Sequence, residues 1–242
     1  TAAYSAVMFS VHTWCLRMHH KKGLLIMATL RPLDPPHKGI RNALSQLSLA
    51  AGSTAASDTS AVEALVTLCI DVLDFLDEHA DFEEKYILEP LEERVPGAGA
   101  DDHAAHQELE TKVRGLRDLL SSLTSTPNQD AIDAFYTEVV LFQAAYLVHM
   151  AQEEATTERL MMDHFSDEEL IGHQIAIMGE TSFESLLRMF RFIAPARRLD
   201  ENLQVMQAFR ANAPEPAVTA VLATLQNAMP AAQYNALIDA LG

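Results

Sequence analysis

Two kinds of side chain able to hold a metal ion recur along this chain at repeating intervals. His37, His79 and Glu83 are followed by His106, His149 and Glu153, with steps of 42 and 4 residues and then 43 and 4. Imidazole and carboxylate together are the ligands of iron, manganese and zinc. On a helix, residues four apart share one face, about 6 Å apart along the axis. A His-x-x-x-Glu pair can therefore present a terminal nitrogen and a carboxylate that reaches a second ion. Two such pairs on facing helices can flank two ions. Spacing alone is weak evidence: about one such pair is expected by chance, and the chain also contains His106/Glu110 and His164/Glu168. Placement within the elements decides.

Those elements are helices. Asp34-Pro35-Pro36 reads as an N-cap with proline in the first turn, and the seam Ile40, Leu44, Leu47, Ala51 runs to a stop near Gly52. A second helix is predicted from Ser57–Ser60 to about Arg94, a third from Asp101 to about Leu123. A fourth follows Thr126-Pro127 and reaches about Phe165. Core positions of the second helix, Leu65, Cys69, Val72 and Leu76, lead directly to His79 and Glu83, and Tyr86 or Ile87 resumes the apolar pattern. The fourth does the same: Phe135, Val139, Phe142, Tyr146, then His149 and Glu153, then Leu160. His106 heads the seam Leu109, Val113, Leu116, Leu120, and His37 heads that of the first helix. Polar residues thus fall at core positions on all four helices. Burying two carboxylates and four imidazoles uncompensated would cost several kcal/mol for each charged group, and a bound metal is the compensation that suits the set.

Long helices with short connections predict an all-α fold, an up-down-up-down four-helix bundle over residues 32–165. Ser166-Asp167-Glu168-Glu169 is a capping box. Breaks near Gly179, Pro195, Pro214-Glu215-Pro216 and Pro230 divide residues 166–242 into a C-terminal appendage of short helices without a ligand-like cluster. Residues 1–31, with His12, His19 and His20, show no clear period and are expected to be an extension of little functional weight, with Met27 a plausible natural start.

Composition narrows the classes of function. The formal net charge is -17, from 34 acids against 17 Lys and Arg. Such a surface disfavours nucleic acid and anionic membranes as partners. No apolar run is expected to approach the ~20 residues that a membrane span requires. Two cysteines, Cys15 and Cys69, make no disulfide framework. Cys69 lies in an apolar run as a buried free thiol, and a reducing cytoplasm is the expected compartment.

The stretch Glu78-His79-Ala80-Asp81-Phe82-Glu83-Glu84-Lys85-Tyr86-Ile87-Leu88-Glu89-Pro90-Leu91, with its counterparts on the other helices, resembles the hemerythrin-like HHE cation-binding family over roughly residues 33–165. The resemblance implies two iron ions in an oxo- or hydroxo-bridged centre. His37 and His149 would be terminal ligands of one iron and His79 and His106 of the other, with Glu83 and Glu153 bridging. Ferritin-like sites require Glu-x-x-His, and no His here has Glu three residues before it. Oxygen-carrying hemerythrins have five His, two of them four apart on the third helix. Here His103 and His106 are three apart, so the chain is more similar to four-His, two-Glu variants. His103 could join as a fifth ligand through a local helix distortion, or stay a surface or supporting residue. Tyr146, one turn before His149, could hydrogen-bond near the metals or serve as core.

Two functions are expected from this reading, set against a third in which the chain is a metal-free structural bundle. One is a redox-active di-iron protein that binds or reacts with a small diatomic ligand or peroxide (O2, peroxide or NO). The other is a non-enzymatic iron-binding or iron-sensing module that meets a protein partner through its C-terminal helices.

Overall fold

The computed structural model describes residues 31–125 and 128–242, without the side chains of 124 and 125. The expected extension, apart from Arg31, lies outside the described residues, and so does Cys15. Every regular element among the described residues is helical. The chain forms α1 (Asp34–Ser53), α2 (Thr59–Glu83), a π-helical turn (Glu84–Leu88), α3 (Glu89–Arg94), α4 (Ala100–Ser125), α5 (Gln129–Ala155) and α6 (Thr157–His164). Shorter helices follow: α7 (Asp167–Glu180), α8 (Phe183–Ile193), α9 (Leu199–Asn212), α10 (Glu215–Ala228) and α11 (Ala231–Leu241).

Helix starts follow local chemistry. Asp58 accepts from Ala61 N at 3.0 Å, and Asn128 accepts from Ala131 N at 2.9 Å, each satisfying an orphan donor of the first turn. The capping box at Ser166 is present in both directions, with Ser166 N donating to Glu169 Oε2 and Glu169 N to Ser166 Oγ.

Two expected continuous helices are interrupted. The second changes register directly after Glu83, where the Glu89 N–H reaches back five residues to Glu84 O. Two features coincide there. Pro90 has no N–H to give Tyr86 O in an α-helical ladder, and the extra residue turns Leu88 and Leu91 inward, where both are wholly buried. The fourth helix breaks at Thr156, whose backbone leaves ideal helix (φ -118°, ψ -73°). Its hydroxyl competes for Gln152 O at 2.7 Å, a local bond of the kind that bends helices. The next residue, Thr157, donates its hydroxyl to Asp102 in a buried pair.

The chain divides into two compact units. In the first, Ile40–Leu160, contacts pair neighbouring helices in opposite directions. Between α2 and α4, Arg117 reaches Asp74 and Asp77 while His106 faces Glu83. Between α4 and α5–α6, His106 faces Glu153 and Asp102 meets Thr157. Between α1 and α5, Arg41 pairs with Glu154, Gln143 donates to Ser45, and Gly52 abuts Tyr136. As residue numbers rise on one helix of each pair they fall on the other, which makes this unit a helical bundle of antiparallel neighbours. Its core is built from the predicted seams: Leu44, Leu65, Cys69, Val72, Leu116, Phe135, Val139 and Phe142 are all buried. Cys69 is a free thiol, which burial pushes up to about 12.

The second unit joins residues 31–39 to Met161–Gly242. Phe183, Leu186, Met206, Phe209, Val218, Val221, Leu225 and Leu237 give it an apolar core of its own. Lys38 ties the N-terminal segment to it, 3.2 Å from Glu201 and 2.9 Å from Asp34.

Candidate metal centre

Five of the six expected ligands belong to the bundle unit. His79 and Glu83 occupy the last turn of α2 because the seam that buries Val72 and Leu76 continues through them. His149 and Glu153 extend the seam of α5 in the same way. His106 comes from the second turn of α4. Glu83, His106, His149 and Glu153 each offer a ligand atom, and these atoms all lie within 4.8 Å of one another. Glu153 Oε1 stands 2.8 Å from His149 Nε2 and 3.3 Å from His106 Nε2. Glu83 Oε2 stands 3.3 Å from His79 Nε2 and 3.5 Å from His106 Nε2. His106 is thus the imidazole between the two carboxylates, and its ring meets that of His149 edge-on at 4.8 Å.

The sixth, His37, is wholly buried near the start of α1, outside the Ile40–Leu160 unit. It shares one face of that helix with Ile40, Leu44 and Leu47, all likewise buried.

Electrostatics show what this cluster lacks. Burial works against the charged form of His106, yet hydrogen bonds and charges from Glu153 and Glu83 prevail and push it up to about 10. Burial also opposes ionisation of Glu153, but His106 and His149 outweigh it and hold the carboxyl at about 2. In the metal-free protein a proton therefore sits at His106, where a cation would belong. One proton does not satisfy the site. Neither oxygen of Glu83 receives a well-formed hydrogen bond, though both are buried. His149 Nδ1 is also buried without a hydrogen-bond partner. Buried polar groups are ordinarily paired, and a carboxylate without well-formed hydrogen bonds among imidazoles is the donor set that a transition-metal cation completes. The residues fit such an ion.

Tyr146 is core. Its ring packs edge-on against Phe142 at 5.5 Å and His149 at 5.9 Å. Burial, reinforced by the negative charges of Glu83 and Glu153, keeps its phenol well above the usual range. His103 is outside the cluster. The π turn that distorts the bundle here lies on the facing helix, and half-exposed His103 pairs its Nδ1 with Glu84 Oε2 at 3.0 Å. Asp102 is the residue that the sequence reading passed over. It is buried one turn before His106, bonded to Thr157, and desolvation raises its pKa although the Thr157 hydroxyl opposes this. The signal was available: Asp102, His106, Leu109 and Val113 continue the four-three spacing of the seam upstream.

A helical bundle whose buried seams converge on imidazoles and carboxylates defines a metal-binding protein. The chain matches the hemerythrin HHE cation binding domain over residues 28–160, more than half of its length. It belongs to that family. No curated protein and no solved structure matches it.

Proposed function

We propose that this protein holds two iron ions through His37, His79, Glu83, His106, His149 and Glu153, within an up-down-up-down four-helix bundle, and that the reduced pair reacts with O2, peroxide or NO. The observation that carries the reading is the buried cluster itself, in which two carboxylates share His106 between them and Glu83 is approached only at 3.3 and 3.5 Å, by His79 and His106. His37 is assigned as the remaining imidazole because it lies on the buried face of α1. The antiparallel contacts of α1 with α5, α2 with α4 and α4 with α5 support the bundle order. Iron so bound would supply redox chemistry and open coordination positions. The chain supplies the acceptors that hold it, a dry surround from Tyr146 and Phe142, and a proton at His106 that must leave when metal enters. The buried free thiol of Cys69 supports a reducing cytoplasm as its place.

Anaerobic loading with ferrous iron should give close to two irons per chain. A reproducible stoichiometry of one, or preference for zinc under matched conditions, would sink the paired site. Mixing the di-ferrous protein with oxygenated buffer should be irreversible, since four imidazoles over two irons leave both short of nitrogen ligands. Recovery of the di-ferrous spectrum on argon purging would instead revive oxygen carriage.

The separate core of residues 161–242 favours a second reading, an iron-sensing module that passes its state to a protein partner through the C-terminal helices. Iron-dependent protection of these helices from proteolysis would support it.

A further inference from the structure

Helix α5 carries two seams. The inward one, Ile132, Phe135, Val139, Phe142, Tyr146, His149 and Glu153, is buried throughout. On the opposite side, Thr137, Leu141, Ala144, Val148, Ala151 and Ala155 repeat at four-three spacing, and every one of them is exposed. Leu141 is 55 % exposed and Val148 60 %. No Asp, Glu, Lys or Arg occurs between Val139 and Gln152. The outer faces of the neighbouring helices are ordinary by contrast, with exposed Glu63 on α2 and Glu108, Glu110, Lys112 and Arg114 on α4. Because α5 is apolar on both sides there, an 18-residue window within Gln129–His164 is apolar enough to cross a membrane by length and composition, which the sequence reading did not expect. A helix cannot both span a bilayer and bury His149 and Glu153 against α4, so the outer seam calls for another covering.

We propose that the outer seam of α5 pairs with the same seam of a second copy, antiparallel about a two-fold axis passing between Ala144 and Ala145. Three observations select this occupant. First, the pattern is self-complementary: the axis sets Leu141 against Val148 of the other copy twice, and brings small side chains together at the centre, so the two backbones can approach. A two-fold interface requires that kind of match, and four-three apolar spacing is the seam of paired helices. Second, charge permits contact between copies here. A chain of net charge -17 repels its own copy elsewhere, whereas this pairing brings no acid opposite another across residues 139–152. Third, the patch widens onto α1. Leu49, 75 % exposed, lies between Ser45 and Gly52, which touch Gln143 and Tyr136, so it stands beside exposed Val140. Residues 134–155 span about 33 Å. A strip one to two helices wide covers on the order of 500 Å² per partner, above most lattice contacts and below the ~800 Å² of a standard interface. The dimer is accordingly a concentration-dependent one.

Sedimentation equilibrium of the full chain should show mass rising with concentration from 26.7 kDa toward twice that value. Leu141→Lys and Val148→Glu should each weaken association at least about 100-fold, because each places an unpaired charge in the seam twice. Mixing the two variants should restore dimers, since antiparallel pairing sets Lys against Glu at one end and leaves Leu against Val at the other. Far-UV circular dichroism and iron content should match the parent, both positions being on the solvent side. As a measurement independent of the charged variants, Ala144→Cys should give a disulfide-linked dimer on oxidation beyond any formed by the parent chain. A monomer at every attainable concentration overturns the proposal, as does a dimer that survives both substitutions. Failure of the mixture to recover excludes the antiparallel pairing. Binding of a monomer to phosphatidylcholine vesicles, lost in Leu141→Lys, would assign the face to a membrane instead.

Discussion

The two His-x-x-x-Glu pairs carry one motif in two local settings. His149 and Glu153 are 2.8 Å apart, and Glu153 is also approached by His106, so its charge is well held. His79 and Glu83 are 3.3 Å apart, and neither Glu83 oxygen gains a well-formed hydrogen bond. Helix geometry fails just after each pair, by a π turn after Glu83 and by a break three residues after Glu153. Helical disruptions of this kind gather at functional sites. The carboxylate of one pair is thus held by imidazoles at 2.8 and 3.3 Å, and that of the other only at 3.3 and 3.5 Å. A bound cation should matter more to the α2 side than to the α5 side, although the bridging role proposed for both carboxylates would make each necessary once metal is present.

The largest effect should come from removing either carboxylate in the loaded protein. If they bridge as proposed, Glu83→Ala and Glu153→Ala should each lose more than half of the bound iron, because a bridge touches two ions, whereas His37→Ala should weaken one ion more than the other. Single-site losses of equal size from all three variants would show that the bridges are misassigned. Without metal the two carboxylates should separate. Glu153→Gln removes the acceptor of two buried imidazoles and should cost about 3 kcal/mol in urea unfolding. Glu83→Gln removes a buried carboxylate held only by the longer contacts to His79 and His106 and should cost less than about 1 kcal/mol. Equal costs in the metal-free protein would erase the asymmetry.

The settings differ in how far the sequence foretold them. Both pairs were legible because they interrupt an apolar seam whose four-three spacing is regular from Leu65 and from Phe135. The helices themselves were legible through caps and prolines, down to the box at Ser166. The disruptions were not. A π turn depends on whether Leu88 and Leu91 or other residues win the interior, which is decided by packing partners on other elements. The break at Thr156 depends on Asp102 being there to receive the Thr157 hydroxyl, a contact 55 residues away in sequence. His37 could be assigned to a buried face from sequence, while the exposed seam of α5 required knowing which of its two apolar faces turned inward.

Titration should sharpen the contrast further. His106 lies above its ordinary 6.5 at about 10, so its contribution to metal-free stability is complete below pH 6.5 and is lost as pH rises through 10. Glu153 lies below its ordinary 4.5 at about 2, so its contribution is complete above pH 4.5 and is lost as pH falls through 2. Thermal unfolding of the metal-free protein should therefore be most favourable to the fold between those limits and should fall on the alkaline side. His106→Gln should flatten that alkaline limb. A limb of unchanged slope in the variant would place its origin elsewhere in the molecule.

The smallest effect concerns the cause of the π turn beside Glu83. If Pro90 alone imposed it, Pro90→Ala would restore an N–H able to bond Tyr86 O and let the helix close into regular α form. Closing would rotate the following turn by about 100° and carry Leu88 and Leu91 out of the interior. Each is wholly buried, and exposing either should cost about 2 kcal/mol, together more than the roughly 3 kcal/mol by which Ala exceeds Pro inside a helix. Pro90 also sits in the first turn of α3, where proline is well tolerated, so little of that preference is available. Pro90→Ala should accordingly keep the π turn, alter stability by less than about 1 kcal/mol, and leave the iron content after loading unchanged. Hydrogen exchange of the amides of residues 84–89 reads the outcome directly. An unchanged pattern assigns the turn to the packing of Leu88 and Leu91. A shift to uniform α-helical protection, with weaker iron binding, would make Pro90 its cause and tie the geometry of Glu83 to a single missing hydrogen.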